Sequence, residues 1–295
     1  MFSIDQAYNA FYLGEQHISV FNHHIEMGGR ILSYSDKTEI LCWQEGATQI
    51  VMLGICVDAH GKIMKKDIMC YLSAFRSDTN ALVRGLDRFA GSFVIFVAQG
   101  KEITMIPDAT VSIPVYFLEN GKAAASHERL LAEQNYLQIN PMALQLKKSG
   151  SIDATLPGSM SLYSGMKALY PNHIATMLSD GVGIRRMEMY KYAGGGQKFI
   201  AYTLNITNAY AEIFPLVCAL TGGWDSRLTL AFLMQSKARD TLQCYTSQMK
   251  HLTPESADMV IPKELTQMLA LPYRTLKHAE VSPQQIAEVA NIVGD

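Results

Sequence analysis

The chain has 295 residues, with 25 Lys and Arg against 27 Asp and Glu, and a formal net charge of −2. That balance leaves no electrostatic footprint for nucleic acid or an anionic membrane surface. A hydrophobic content of 48% with 18% charged residues excludes a disordered chain, and the length suits two domains with cores of their own.

In chain order, residues 1–192 read as β-rich. "HISVF" (17–21), "RILSYS" (30–35), "EILCWQ" (39–44) and "QIVMLGICVD" (49–58) are short runs of β-branched and aromatic residues, most of them separated by turn formers. Residues 66–89 carry helical spacing at Ile68, Tyr71, Leu72, Leu82 and Leu86. Residues 91–126 read as a meander with turns at Gln99-Gly100-Lys101 and Asn120-Gly121. A short helix is expected over 127–135, with Ser126 as its N-cap. Strands follow near 174–178 and 184–190. The three glycines of "YAGGGQKF" mark a linker at 193–199. Beyond it the pattern alternates: helix over 199–214, strand "LVCAL", helix from Asp225, strand 241–246, helix 254–270, strand 273–276 and a last helix. Pro262 is expected to kink or restart the 254–270 helix. Ser282 and Gln285 form a capping box at the last one. Alternating β and α elements imply parallel strands with crossover helices.

The five cysteines, Cys42, Cys56, Cys70, Cys218 and Cys244, are odd in number and form no C-x-x-C pair. They read as reduced, mostly buried thiols. No apolar run reaches the ~20 residues of a membrane span, and the first residues lack the regions of a signal peptide. The expectation is a cytoplasmic protein with neither nucleic acid nor membrane as partner. His17, His23 and His24 read as surface or turn residues, because adjacent His23 and His24 point to opposite faces of a strand.

The most informative stretch is "VCALTGGWDSRLTLAFL", Val217 to Leu233. An apolar strand meets a Gly-Gly turn and then a helix. Gly222 and Gly223 let backbone approach a ligand closely. The first N–H groups of the helix lack intrahelical partners and sit at the positive end of its dipole, which makes an anion site. Thr221 and Ser226 add hydroxyls. Asp225 would repel phosphate unless a cation bridged them, which points to Mg2+.

T-G-G-W-D-S resembles the S-G-G-x-D-S pyrophosphate loop of the ATP pyrophosphatase enzymes, with Thr221 keeping the hydroxyl of the usual serine. "LDRFAGSFVIFV" (86–97), "MIPDATVSIPVYF" (105–117), "AAASHERLLA" (123–132) and "LYSGMKALYPNHIATML" (162–178) resemble, in order, segments of the glutamine-dependent asparagine synthetases. The resemblance covers nearly the whole chain. It implies an α+β, Ntn-hydrolase-like αββα sandwich over 1–192, a linker over 193–199 and, over 200–295, part of an α/β Rossmann-like (adenine nucleotide alpha hydrolase-like) parallel sheet. That sheet reads as truncated, either as a fragment or as a naturally short protein.

Two departures bear on activity. The family's glutaminase uses an N-terminal cysteine, and here the second residue is Phe2, which has no nucleophilic atom. The family's Asn-Gly-Glu segment reads Leu53-Gly54-Ile55, and Pro107 replaces the Arg before Asp108. The expectation is a glutaminase fold without glutaminase activity. The resemblance implies that the acceptor pocket would be supplied by a C-terminal part beyond Asp295.

The resemblance therefore implies an ATP-dependent ligase that activates a small-molecule carboxylate as its acyl-adenylate and joins it to an amine or ammonia, with a homodimer among the expected assemblies. Thr221, Gly222, Gly223 and Trp224 would hold pyrophosphate. Asp225 and Ser226 are the catalytic candidates, with Asp225 on Mg2+ and Ser226 on phosphate. Arg227 would either add a cation or face solvent. Ala219, Leu220 and Tyr245 are candidates for adenine contact. Two rival readings stand beside this one: a catalytically silent nucleotide-binding or scaffold protein, and an ammonia-dependent asparagine synthetase proper.

Overall fold

The computed structural model describes residues 4, 7–62, 67–149, 156–187, 195–249, 251–277 and 282–286. Its first half contains β1 (Phe11–Gly14), β2 (His23–Met27), β3 (Arg30–Tyr34), β4 (Ile40–Glu45) and β5 (Thr48–Asp58). Helices α1 (Ile68–Ser73) and α2 (Thr79–Gly85) follow, then β6 (Phe89–Gln99), β7 (Glu102–Pro107), β8 (Tyr116–Leu118) and β9 (Ala124–Ala125). Next come α3 (Glu128–Gln134), α4 (Pro141–Lys148), β10 (Met166–Ala168), β11 (His173–Met177) and β12 (Val182–Arg186).

These strands make two antiparallel sheets, ordered β10-β8-β9-β1-β3-β2 and β12-β11-β7-β6-β5-β4. Strand alternation sorts their side chains. Val51, Leu53, Val94 and Phe96 of the second sheet meet Phe11, Leu13 and Leu32 of the first in a shared core, where Phe11 and Phe96 pack edge to face at 5.2 Å. The opposite residues, Ile50, Met52, Phe93 and Ile95, face α1 and α2 through Ile68, Leu72 and Leu82. On the outer side of the first sheet, Tyr12 and Ala125 pack against Leu130 and Leu131 of α3. The result is an α+β stack in four layers, helix–sheet–sheet–helix.

Several expected elements differ. The strand at 17–21 does not form. Ile18 and Phe21 are buried instead in a turn closed by Phe21 N–H donating to the Ile18 carbonyl at 3.3 Å. The strand lies at His23–Met27 and joins β3 through Gly28-Gly29, both in the left-handed region (φ 56° and 75°) that a tight hairpin demands. The helix over 66–89 divides in two, because the Asp78 carboxylate accepts from Asn80 and Ala81 N–H at 2.8 and 3.1 Å and starts α2 afresh. Helix α3 begins at Glu128 with His127, not Ser126, in the N-cap position. Positions 188–190 of the strand expected at 184–190 lie outside the described residues.

After these layers come α5 (Gly196–Ile213), β13 (Val217–Ala219), α6 (Trp224–Met234), β14 (Gln243–Gln248), α7 (Ala257–Met268) and β15 (Tyr273–Lys277). Strands β13, β14 and β15 pair in parallel, in that order. Cys218, Leu220, Leu230, Leu233, Leu242 and Cys244 form their core. Helix α7 runs on through Pro262 without restarting. The missing Pro262 N–H deprives the Asp258 carbonyl of its helical donor, a loss tolerated one turn into the helix. The final capping box forms as read: Gln285 N–H donates to Ser282 Oγ at 3.2 Å and Ser282 N–H to Gln285 Oε1 at 2.9 Å.

An ion pair within the first half shapes the loop that meets the second. Asp58, at the end of β5 with 1% of its side chain exposed, receives Arg88 Nε at 2.9 Å and Nη2 at 2.6 Å. It also receives the His60 and Lys62 N–H groups, both at 3.0 Å. The loop so shaped offers the Ala59 carbonyl to Asn205 Nδ2 of α5 at 3.0 Å, and the His60 ring packs on Tyr202 at 4.8 Å. Arg88→Met removes the guanidinium that balances a buried carboxylate, so equilibrium chemical denaturation of the full chain is expected to show a loss of ~3–5 kcal/mol. A loss under ~1 kcal/mol, the value of an exposed pair, would mean that this contact holds little.

Candidate functional site

The residues singled out in the sequence converge at the C-terminal end of β13. Four contacts shape the loop 221–223. Ser226 Oγ folds back from the first turn of α6, accepting from Thr221 N–H at 3.0 Å and lying 3.1 Å from Thr221 Oγ1. Gly223 N–H donates to Thr221 Oγ1 at 3.1 Å. Gly222 N–H donates to Oδ1 of Asp258 at 2.9 Å. A Cβ on Gly222 would lie 3.0 Å from the Ala257 carbonyl oxygen, so glycine here is what lets α7 come so close.

Two helix N-termini therefore meet at one loop. Gly223 is the N-cap of α6 and Ser256 that of α7, and neither helix has a side-chain cap. Their positive ends sum at this point. Asp258 is a member of the site that sequence reasoning missed. It stands 33 positions from Asp225 and matches no element of the loop pattern. Its only signal is its place in the first turn after the second parallel strand.

The other expected residues divide. Asp225 is exposed, and its carboxylate has no partner among the described residues. Trp224 is 81% exposed. Arg227 lies over the Trp224 ring at 4.4 Å while its Nε donates to the Gly223 carbonyl at 3.2 Å. Ala219 and Tyr245 are register partners across β13 and β14, on a sheet face where Ala219 is exposed. Leu220 is fully buried. Its N–H goes to the Tyr245 carbonyl at 2.8 Å and its carbonyl receives Thr246 Oγ1 at 2.7 Å, so its main chain is already engaged in the sheet. Tyr273 Oη donates in turn to Thr246 Oγ1 at 2.7 Å and fixes the floor of the loop.

An exposed carboxylate beside unpaired first-turn N–H groups is a donor set that fits Mg2+ bridged to phosphate oxygens. Among the described residues no group of three His, Cys, Asp or Glu side chains is arranged to hold a metal by itself.

Phe2 lies outside the described residues. Of the cysteines in the first half, Cys56 is buried and its thiol is pushed up to about 12 by that burial and by Asp58. Such a thiol stays protonated and unreactive. Cys42 and Cys70 are exposed, not buried as expected. Asp108 is structural: its carboxylate accepts from Thr110 N–H and Ser112 N–H, both at 3.0 Å, and from Thr110 Oγ1 at 2.7 Å. His23 pairs with Asp36 at 3.2 Å and stacks on Tyr34. His24 bonds Ser33 Oγ through Nδ1 at 3.0 Å.

No protein-family model matches the chain, and no curated protein matches it. Among solved structures it is similar to glutamine phosphoribosylpyrophosphate amidotransferase from B. subtilis complexed with ADP and GMP, at 9% identity and a TM-score of 0.34 over 94% of this chain and 62% of that one. It is similar to an allosteric regulatory enzyme of purine biosynthesis at 9% identity and a TM-score of 0.37, over 99% and 83%. It is also similar to glutamine-dependent NAD+ synthetase from Acinetobacter baumannii in complex with ADP, at 15% identity and a TM-score of 0.27, over 45% and 26%. At TM-scores this low the likenesses decide neither fold nor activity. Among the described residues no helix is long and apolar enough to cross a membrane.

Two outcomes follow from the geometry. Gly222→Ala must part the loop from α7, and thermal unfolding is expected to report a loss of ~1–3 kcal/mol. In native protein at neutral pH a thiol reagent is expected to label exposed Cys70 within minutes and Cys42 more slowly, because partial burial raises its thiol pKa, and to spare Cys56, Cys218 and Cys244 until denaturant is added; peptide mass spectrometry reads the sites. Burial pushes the Cys218 thiol up to about 12 as well and raises that of Cys244, so raising the pH by about two units is not expected to expose either.

Proposed function

We propose that this chain carries the nucleotide-handling part of an ATP-dependent ligase that makes an amide from a carboxylate and an amine, with AMP and pyrophosphate as products and without glutamine hydrolysis of its own. One observation carries the reading: a strand–Gly-Gly–helix loop on which two uncapped helix N-termini converge, with an exposed carboxylate, Asp225, at its mouth.

In that reaction a carboxylate oxygen attacks the α-phosphorus of ATP and the bond to the β-phosphate bridging oxygen breaks. The amine then attacks the acyl carbon, AMP leaves, and the amine loses a proton. The chain's part is electrostatic. The first-turn N–H groups of α6 and the Thr221 hydroxyl would hold the pyrophosphate as its charge grows. Asp225 would hold Mg2+, which neutralises that charge when bound. Ser226 keeps the loop in shape from inside, and its contacts with Thr221 make it a positioning residue first. A Rossmann-like role for the parallel sheet, the split into 1–192 and 200–295, and ammonia as the amine source all belong to this same proposal.

A second reading, a scaffold that keeps the fold and binds no nucleotide, is favoured by one feature. The Thr221, Gly222 and Gly223 N–H groups are all spent inside the protein, the second of them on a carboxylate.

Calorimetric titration of Mg-ATP and of Mg-pyrophosphate separates the two. Binding near a micromolar Kd, weakened roughly ten-fold or more by Asp225→Asn at unchanged melting temperature, is expected for the ligase part. Affinity that Asp225→Asn leaves unchanged would remove the metal role from Asp225. No heat with either ligand at about millimolar concentration would favour the scaffold.

A further inference from the structure

Of the three backbone donors in the loop 221–223, Gly222 N–H alone is served by a distant element. Thr221 N–H and Gly223 N–H go to neutral hydroxyl oxygens nearby in the chain, Ser226 Oγ at 3.0 Å and Thr221 Oγ1 at 3.1 Å. Gly222 N–H goes to a carboxylate oxygen 36 positions away, Asp258 Oδ1, at 2.9 Å. A phosphate oxygen bound at this loop would present the same N–H with the same kind of charged acceptor at a similar distance.

The carboxylate is held there by its place in the fold and by little else. Asp258 lies in the first turn of α7, just after the N-cap Ser256, where the helix dipole favours a negative charge. The helix is fixed from behind by its buried residues Met259, Pro262 and Thr266. With no Cβ on Gly222, Asp258 Oδ1 sits 3.1 Å from the point that atom would occupy. The Asp258 side chain is half-buried, and Gly222 N–H is its only hydrogen-bond or ion-pair partner among the described residues. A single hydrogen bond to a partly solvated carboxylate is readily exchanged for another.

Two carboxylates therefore flank the loop, and their roles differ. Asp225 is exposed at its mouth and leaves the backbone donors alone. Asp258 engages one of them. An anion approaching Gly222 N–H meets the Asp258 charge at the same place, and like charges at hydrogen-bond distance from one donor repel strongly. The two occupants exclude each other.

We propose that Asp258 is a built-in occupant of the anion seat, an autoinhibitory contact that fills the Gly222 position until a pyrophosphate group displaces it. On displacement the Asp258 side chain turns to solvent, Gly222 N–H passes to a phosphate oxygen, and the tie between the loop and α7 is released. Affinity for the anion is thereby held below what the loop donors alone would give. The inference rests on the nucleotide reading for the identity of the incoming anion.

The probe is inorganic pyrophosphate with Mg2+, titrated by calorimetry into the full chain and two variants whose folding is checked by thermal melting. Asp258→Ala removes the occupant and is expected to bind roughly ten-fold or more tightly than the parent. Asp258→Asn keeps the shape without the charge and is expected to fall between them. A side chain that only held the loop in shape would act the other way, its loss weakening binding. On the unaltered protein, Gly222 is the only glycine that follows a threonine, so isotope labels on the threonine carbonyl carbon and the glycine nitrogen pick out its amide alone by NMR. Saturating pyrophosphate is expected to shift that resonance as its acceptor changes. Asp258→Ala binding no more tightly than the parent, or a Gly222 amide unmoved at saturation, overturns the proposal; the parent still binds in both cases, so the nucleotide reading stands. A folded Asp258→Ala that takes no pyrophosphate at about 10 mM overturns both, because the opened loop is then no anion seat. Binding by Asp258→Ala with none by the parent supports the proposal in its strongest form.

Discussion

The Asp58–Arg88 pair is the constraint on which the arrangement of this molecule rests. A carboxylate with 1% of its side chain exposed is costly to leave unpaired, and the two N–H groups of the following loop complete its shell. Satisfying that one buried charge fixes where β5 ends and where β6 begins. It also sets the path of residues 58–62, the surface on which α5 rests through Asn205 and Tyr202. Helix α5 packs in turn on α6, through Phe199 and Phe232 among others. The position of the glycine loop relative to the four-layer stack thus traces back to a guanidinium and a carboxylate.

At the loop a similar economy operates with opposite sign. Gly222 has no side chain, so α7 approaches until the Asp258 carboxylate caps the Gly222 N–H. This contact holds the turn tight, and it competes with any anion for the same donor. A ligand that claims the Gly222 N–H must displace Asp258, whereas one that uses the first turn of α6 need not. The structure therefore ranks the donors: those of Trp224 and Asp225 are open, and those of Thr221 to Gly223 are in use.

Much of this is legible in the sequence where a local rule decides the outcome. The strand–turn–helix at 217–233, the hairpin at Gly100, the parallel tail and the Ser282 capping box all follow from residues within a few positions of one another. The misreadings share a cause. Ile18 and Phe21 have the look of a strand because they are buried, but a turn buries them. The spacing of 66–89 is helical throughout, yet Asp78 offers a cap that restarts the helix. Pro262 reads as a kink or a restart because propensity counts its lost hydrogen bond; the restart does not occur, since α7 runs on through it. Helix α4 announces itself only through Asn140 and Pro141, a two-residue signal whose cap bonds measure 3.1 and 3.4 Å. Asp258 has no local signal strong enough to find it, because its role exists only once two parallel strands set two helices side by side.

Strand β1 has a consequence for how the molecule comes to exist. One of its edges pairs with β3, some twenty residues on, but the other pairs with β9, and Phe11 exchanges bonds with Ser126 across 115 positions. On a ribosome adding ~5–20 residues per second, the first edge is covered within seconds and the second stays bare several times longer. During that interval the nascent chain shows an apolar strand, Phe-Tyr-Leu-Gly, with open backbone groups, the template on which strands of other copies can add. The yield of folded protein is then set by a race between elongation to residue 126 and encounter with a neighbour, so slower synthesis at high expression costs soluble product even though the finished sheet is closed at that edge.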